Sequence, residues 1–275
     1  MLRHLTARPR VDALTTLAAV GARTNRVRLG TAIFLAALRH PVLLAYQLAS
    51  LDWITGGRID LGLGYGRRGE VSQEHEFRIL GLDPGARMKM SEEAVHIMRL
   101  LWRENNAAYS GAFTRFEQVT IEPKPTQAGG VPIWLASNDV EAGLRRVGRL
   151  GDAWINNIKE PETYRACLAK IRAYAAAAGR DPANIEPGSY FTIAAGGKEA
   201  IEAGQKFLAE YYNRSYEAIV KANLCISGPW NDVVDRLDAF RQAGARTAVL
   251  RFAARDQLQT LEDCAEALKR RNLLD

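Results

Sequence analysis

Long apolar runs, paired cysteines and blocks of like charge are all scarce in this chain of 275 residues, and each scarcity removes a class of protein. No stretch approaches the roughly 18 consecutive apolar residues of a membrane-spanning helix, and Met1-Leu2-Arg3-His4 opens no apolar leader. No membrane association is expected. Cys167, Cys225 and Cys264 are odd in number and far apart, with no Cys-x-x-Cys and no histidine at ligand spacing. They read as reduced thiols of a cytoplasmic protein, not as a disulfide frame or a zinc site. Lys and Arg total 37 against 31 Asp and Glu, a formal charge of +6 that no basic tract concentrates. Such an excess is a solvated surface, and no nucleic-acid partner is implied. With 47% apolar and 25% charged residues, disorder is excluded and one large globular domain or two small ones remain.

What is present is a βα rhythm. RVRLGTAIF (Arg26 to Phe34) reads as a strand buried on both faces. Pro41 opens a helix with Leu44, Leu48, Leu51 and Ile54 on one face, and Gly56-Gly57 ends it. A second strand runs through Gly56 to Gly66, followed by a helix from Ala86 to about Arg103. The stretch 105–130, with Pro123, Pro125 and Gly111, breaks the rhythm and has hairpin character. Strands at 131–137, 152–156, 189–195 and 247–253 resume it. Helices are expected at 139–150 and 161–178, in a long region through 222, and at 231–243. A last helix carries Leu258, Leu261, Ala265 and Leu268 on one face.

That alternation leaves an open doubly wound sheet or a closed (β/α)8 barrel. Gly62-Leu63-Gly64-Tyr65-Gly66 has the wrong glycine spacing for a dinucleotide-binding turn, and Arg67-Arg68-Gly69-Glu70 follows it where a helix should open. No serine-centred elbow, metal-ligand cluster or strand-end lysine supports a barrel hydrolase or aldolase.

Five segments together resemble the bacterial luciferase-like monooxygenase family: LGTAIFLAALRHP, LASLDWITGGRIDLGLGYG, FTRFEQVTIEPKPTQ, VPIWLAS and RRVGRLGDAWI. Their order and spacing carry the resemblance, and it implies a (β/α)8 TIM-barrel fold as a single domain over 1–275, with an insertion around 105–130. It also implies a flavin- or deazaflavin-dependent oxidoreductase. The strand at 29–34 corresponds to the third of the family's barrel, so the barrel is expected to be incomplete at its N-terminus, lacking the first two strands.

The resemblance points to particular residues. His4 falls where the family has a histidine near the flavin ring and could serve as general acid or base, although Arg3 replaces the usual neighbouring acid. Ala32-Ile33 falls where such enzymes carry a non-proline cis peptide facing the ring. Gly62, Gly64 and Gly66 allow close backbone approach by a ring or phosphate, or else tight packing, and Tyr65 and Arg67 belong to the same loop. Ser137 and Asn138 stand at a helix start that favours phosphate, although Asn138 and Glu141 also have capping-box spacing. Asn156, Asn157 and Arg251 fall at strand ends or in the last strand. His40 and His96 read as structural or solvated, and His75, in the loop after the Gly66 strand, as a possible substrate contact.

The expected chemistry is oxidation of a small organic substrate with reduced FMN and oxygen. Hydride transfer with F420 and a non-catalytic flavin-binding remnant are the alternatives. A small-molecule substrate, a separate flavin reductase and a homodimer built on the 41–55 helix complete the expectations.

Overall fold

The computed structural model describes residues 11–66, 69, 71–222 and 225–274. His4, Arg3 and Arg67 lie outside them. The chain divides into two compact units, through Ala136 and from Ser137 onward.

In the first unit, α1 (Ala13–Gly21) is capped by Asp12, whose carboxylate accepts from Thr15 N at 3.1 Å. β1 (Leu29–Gly30) leads into α2 (Pro41–Thr55), which starts on Pro41 and stops at Gly56 in the left-handed conformation, φ +65°. β2 (Ile59–Leu63) follows, then α3 (Val71–Ile79), α4 (Arg87–Arg103), the antiparallel pair β3 (Ala107–Ser110) and β4 (Arg115–Val119), and β5 (Ile133–Ala136). β1, β2 and β5 pair in parallel, Leu29 opposite Ile59 and Leu61 opposite Ile133. Ile59, Leu61, Leu63, Ile133 and Leu135 are fully buried, which is why these strands read as continuous apolar runs.

The amino ends of these strands are tied by one polar network. Asp52, fully buried on α2, accepts from Thr126 N and Oγ1, both at 2.8 Å, and from Gln127 N and Nε2 at 3.1 and 2.7 Å. Arg28 bridges the Gln127 amide and the Asp60 carboxylate. Arg58 donates to the carbonyls of Gly21, Thr24, Val27 and Thr55, joining α1 to β2.

In the second unit come α5 (Glu141–Leu150), β6 (Ala153–Ile155), α6 (Pro161–Ala177), β7 (Glu186–Ala195), α7 (Lys198–Tyr212), α8 (Tyr216–Ala222), β8 (Cys225–Gly228), α9 (Trp230–Gln242), β9 (Thr247–Phe252) and α10 (Gln257–Arg270). β7 is the longest strand described. It pairs in parallel with β6 at its start and β8 at its end, and with β9 along the other edge. One face of this layer packs an aromatic ladder: Trp154 on Tyr164 (4.8 Å between centroids), Tyr164 on Phe240 (5.6 Å) and Phe240 on Phe191 (5.0 Å). The opposite face, with Ala194 and Ala253, is covered by Leu208 of α7 and Ile219 of α8.

Several expectations need correction. The loop expected after the Gly66 strand contains α3, anchored by buried Phe77 and Glu76. The expected helical region through 222 consists of two helices separated at Asn213, φ +51°, and β8 follows as an additional parallel strand. Ile54, Leu258 and Leu261 are exposed, and α10 instead buries Cys264 and Ala267. Among the described residues no helix is long and apolar enough to cross a membrane.

Candidate active site

At the carboxyl end of β1 the chain leaves the sheet for three residues and rejoins it at Phe34, which pairs with Leu63. The Ala32–Ile33 peptide in this excursion is cis. β2 makes room for it. A methyl group at Gly62 would lie 1.9 Å from the Thr31 carbonyl oxygen, and one at Gly64 would lie 1.7 Å from Ile33 Cδ1. Gly62 therefore packs against the backbone of the neighbouring strand and Gly64 against the Ile33 side chain, not against a helix. The result is an apolar ledge, with Ile33 46% exposed beside buried Phe34. Tyr65, half-buried, and Gly66, φ +70°, continue from the same end of β2, and a methyl at Gly66 would meet the Gln73 side chain at 2.9 Å. Gln73, Phe77, Pro84 and Arg87 line a cleft there, and Arg87 Nε is buried without a partner among the described residues.

In the second unit, Ser137 and Asn138 precede α5. Ser137 Oγ donates to the Asn138 carbonyl at 2.9 Å, and its own carbonyl accepts from Trp154 Nε1 at 2.8 Å. Gly143 leaves the space for that hydroxyl, since a methyl there would stand 2.1 Å from it. The capping box does not form: the N-cap is Val140, with no side-chain bond to the helix. Asn138 turns to Asn157 instead, donating Nδ2 to Oδ1 at 2.6 Å and accepting from Asn157 N at 3.0 Å. Asn156 is buried and committed to the fold. Its Nδ2 donates to the Gly188 carbonyl at 2.9 Å, and its Oδ1 accepts from Ile158 N at 3.1 Å and Ser189 Oγ at 3.3 Å. Of the two adjacent asparagines, Asn157 is the one paired with an exposed amide at the strand ends.

Arg251, on β9, lies against Tyr211 and Tyr212 of α7 and donates to the Tyr212 hydroxyl. Burial pushes the phenol of Tyr190, on β7, above its ordinary range, and the Arg251 charge opposes that shift. These tyrosines had no sequence signal, because nothing in the spacing links residues on α7 to a strand so far along the chain. His40, His75 and His96 are all exposed, and His75 stands on α3.

Parallel strands with their exposed apolar and amide groups at the carboxyl ends define an α/β enzyme of the kind that binds its ligands there. Residues 3–247 match the luciferase-like monooxygenase family, and the chain belongs to it. Members of this family are oxidoreductases and monooxygenases that use a flavin or F420. An uncharacterised protein of Mycobacterium tuberculosis is 32% identical over 171 residues, 62% of this chain and 58% of that protein, so the chain spans less than two thirds of that curated relative. The oxygenase component of a flavin-dependent trigonelline monooxygenase from Acinetobacter baylyi is 34% identical over 117 residues, 42% of this chain and 31% of that one. The solved monooxygenase RslO1 of Streptomyces bottropensis shares 28% identity at a TM-score of 0.79, covering 95% of this chain and 83% of its own. The fold is therefore that of the luciferase-like barrels, and F420-dependent enzymes are among the solved structures that share it.

Proposed function

We propose that this chain is an oxidoreductase that uses reduced FMN and oxygen on a small organic substrate. The observation that carries the reading is the Ile33 ledge, an apolar side chain held out at a strand end beside two glycines. The residues present fit a flavin. Ala32 and Ile33, with Tyr65, offer a flat apolar contact to a ring system in the first unit. When bound, reduced flavin supplies the electrons that oxygen requires. The chain's own part is to orient that ring and to shield it from water.

Titration of the purified chain with FMN and with F420, followed by fluorescence, tests the assignment. Saturable FMN binding is expected. Binding of F420 with none of FMN would transfer the reading to hydride transfer, the alternative favoured by the F420-dependent enzymes of the same fold. Oxygen uptake no greater than the free-flavin background, measured with a flavin reductase present, would leave a non-catalytic flavin binder.

The partners follow from the same reading: a small-molecule substrate, a separate flavin reductase and a second copy of this chain. The second copy would dock on α2, where Leu43, Tyr46, Trp53 and Ile54 are exposed. A cytoplasmic setting suits the three free thiols.

A further inference from the structure

Arg251 is a cation held by phenols. Its guanidinium carbon lies 4.4 Å from the centroid of the Tyr211 ring and 5.0 Å from that of Tyr212, and its Nη1 donates to the Tyr212 hydroxyl. Tyr190 stands two residues along β7 from Thr192, the register partner of Arg251, and so on the same face of the sheet. Three other arginines of this unit, Arg180, Arg236 and Arg271, each reach a carboxylate. Arg251 reaches none among the described residues, and its side-chain contacts are with Tyr211 and Tyr212.

Aromatic faces stabilise a cation without neutralising it. A guanidinium also has more N–H donors than the phenol oxygens can occupy, set in a planar fork that matches an oxyanion. Because Arg251 is half-buried, its uncompensated charge is screened less than a surface arginine's. The place is also suitable. Tyr190 N donates to the Asn156 carbonyl at 2.6 Å, so the cage adjoins the end of β6, one residue from the Asn138–Asn157 pair.

We propose that Arg251, framed by Tyr190, Tyr211 and Tyr212, binds the oxyanion group, carboxylate or phosphate, of a small organic ligand. Taken with the oxidoreductase reading, on which this step rests, the cage anchors an anionic substrate. The anion site itself is tested without flavin, so its failure and the failure of that reading are distinguishable.

Calorimetric titration of the full chain with sodium benzoate, and separately with inorganic phosphate, decides it. Saturable binding of either is expected, with benzoate assigning a carboxylate ligand and phosphate a phosphorylated one. Arg251→Met is expected to weaken that binding by about tenfold or more. Arg251→Lys keeps the charge but loses the planar fork, and is expected to weaken it by a smaller factor. If Arg251→Met does not fold, as judged by circular dichroism, Arg251→Lys decides alone. Binding of neither anion by the native chain, or full-strength binding by the variant that decides, overturns the proposal.

Discussion

The two ends of the same strands are built on opposite principles. At the amino ends of β1, β2 and β5, Asp52, Arg28, Gln127 and Arg58 bond one another and the backbone, and Asp52 is fully buried while accepting four hydrogen bonds. At the carboxyl ends, an isoleucine is exposed and the neighbouring positions are glycine. One end is fully satisfied and closed, and the other has contacts to offer. In barrels and open α/β sheets alike, the carboxyl ends are where ligands bind and the amino ends are where stability resides.

Substitutions sharpen this contrast. Asp52→Ala removes the acceptor from four donors at the closed end and is expected to cost about 3–5 kcal/mol, the usual penalty for breaking a buried charged network. Urea unfolding checks it, and a loss below about 1 kcal/mol, a surface-like value, would erase the distinction between the two ends. Gly64→Ala forces a methyl into the space of Ile33 and is expected to cost about 1–3 kcal/mol, together with flavin binding. Adding Ile33→Ala should restore most of the stability but not the binding, a separation that thermal melts and flavin titration would resolve.

In the second unit, Tyr164 buries its hydroxyl inside the aromatic ladder without a partner among the described residues. Burial also raises its phenol pKa well above the ordinary 10.0. Tyr164→Phe is therefore expected to leave stability unchanged or raise it by up to about 1 kcal/mol, and a loss on melting would show that the hydroxyl has a role. Asn138→Ala, which removes the exposed pair with Asn157, should change stability by no more than about 0.5 kcal/mol in the same melts.

The smallest effect at ordinary pH comes from the thiols. Burial raises Cys167 to about 12, with Asp139 adding to the shift, and raises Cys264 to about 11. Both start from an ordinary 9.0, so the unfolded chain loses these protons first. Stability from this source is complete below pH 9.0 and declines as pH rises toward those folded-state values. Melting temperatures across pH 8 to 11, compared with a Cys167→Ser variant, check the sign.

The sequence made some features legible for identifiable reasons. Pro41, Gly56 and Gly179 mark helix limits because their backbone preferences act locally. The fully buried strands were legible as apolar runs. Other features depend on distant partners. α3 is short and polar, and only its packing of Phe77 and Glu76 shows it to be a helix. On α10 the leucines suggest one face, but Cys264 and Ala267 are the residues that the neighbouring elements cover. Asn156 and Asn157 are indistinguishable in sequence, and strand alternation sends one inward and leaves the other at the exposed pair. The Asn138–Glu141 spacing fitted a cap, yet the reach to Asn157 took the side chain elsewhere.

The contact between Gly64 and Ile33 has a consequence for descent. The two positions share a single volume, so bulk added at one must be surrendered at the other. Among kindred chains, residue size at these two sites should be inherited jointly, a heavier residue on β2 arriving with a lighter one opposite it.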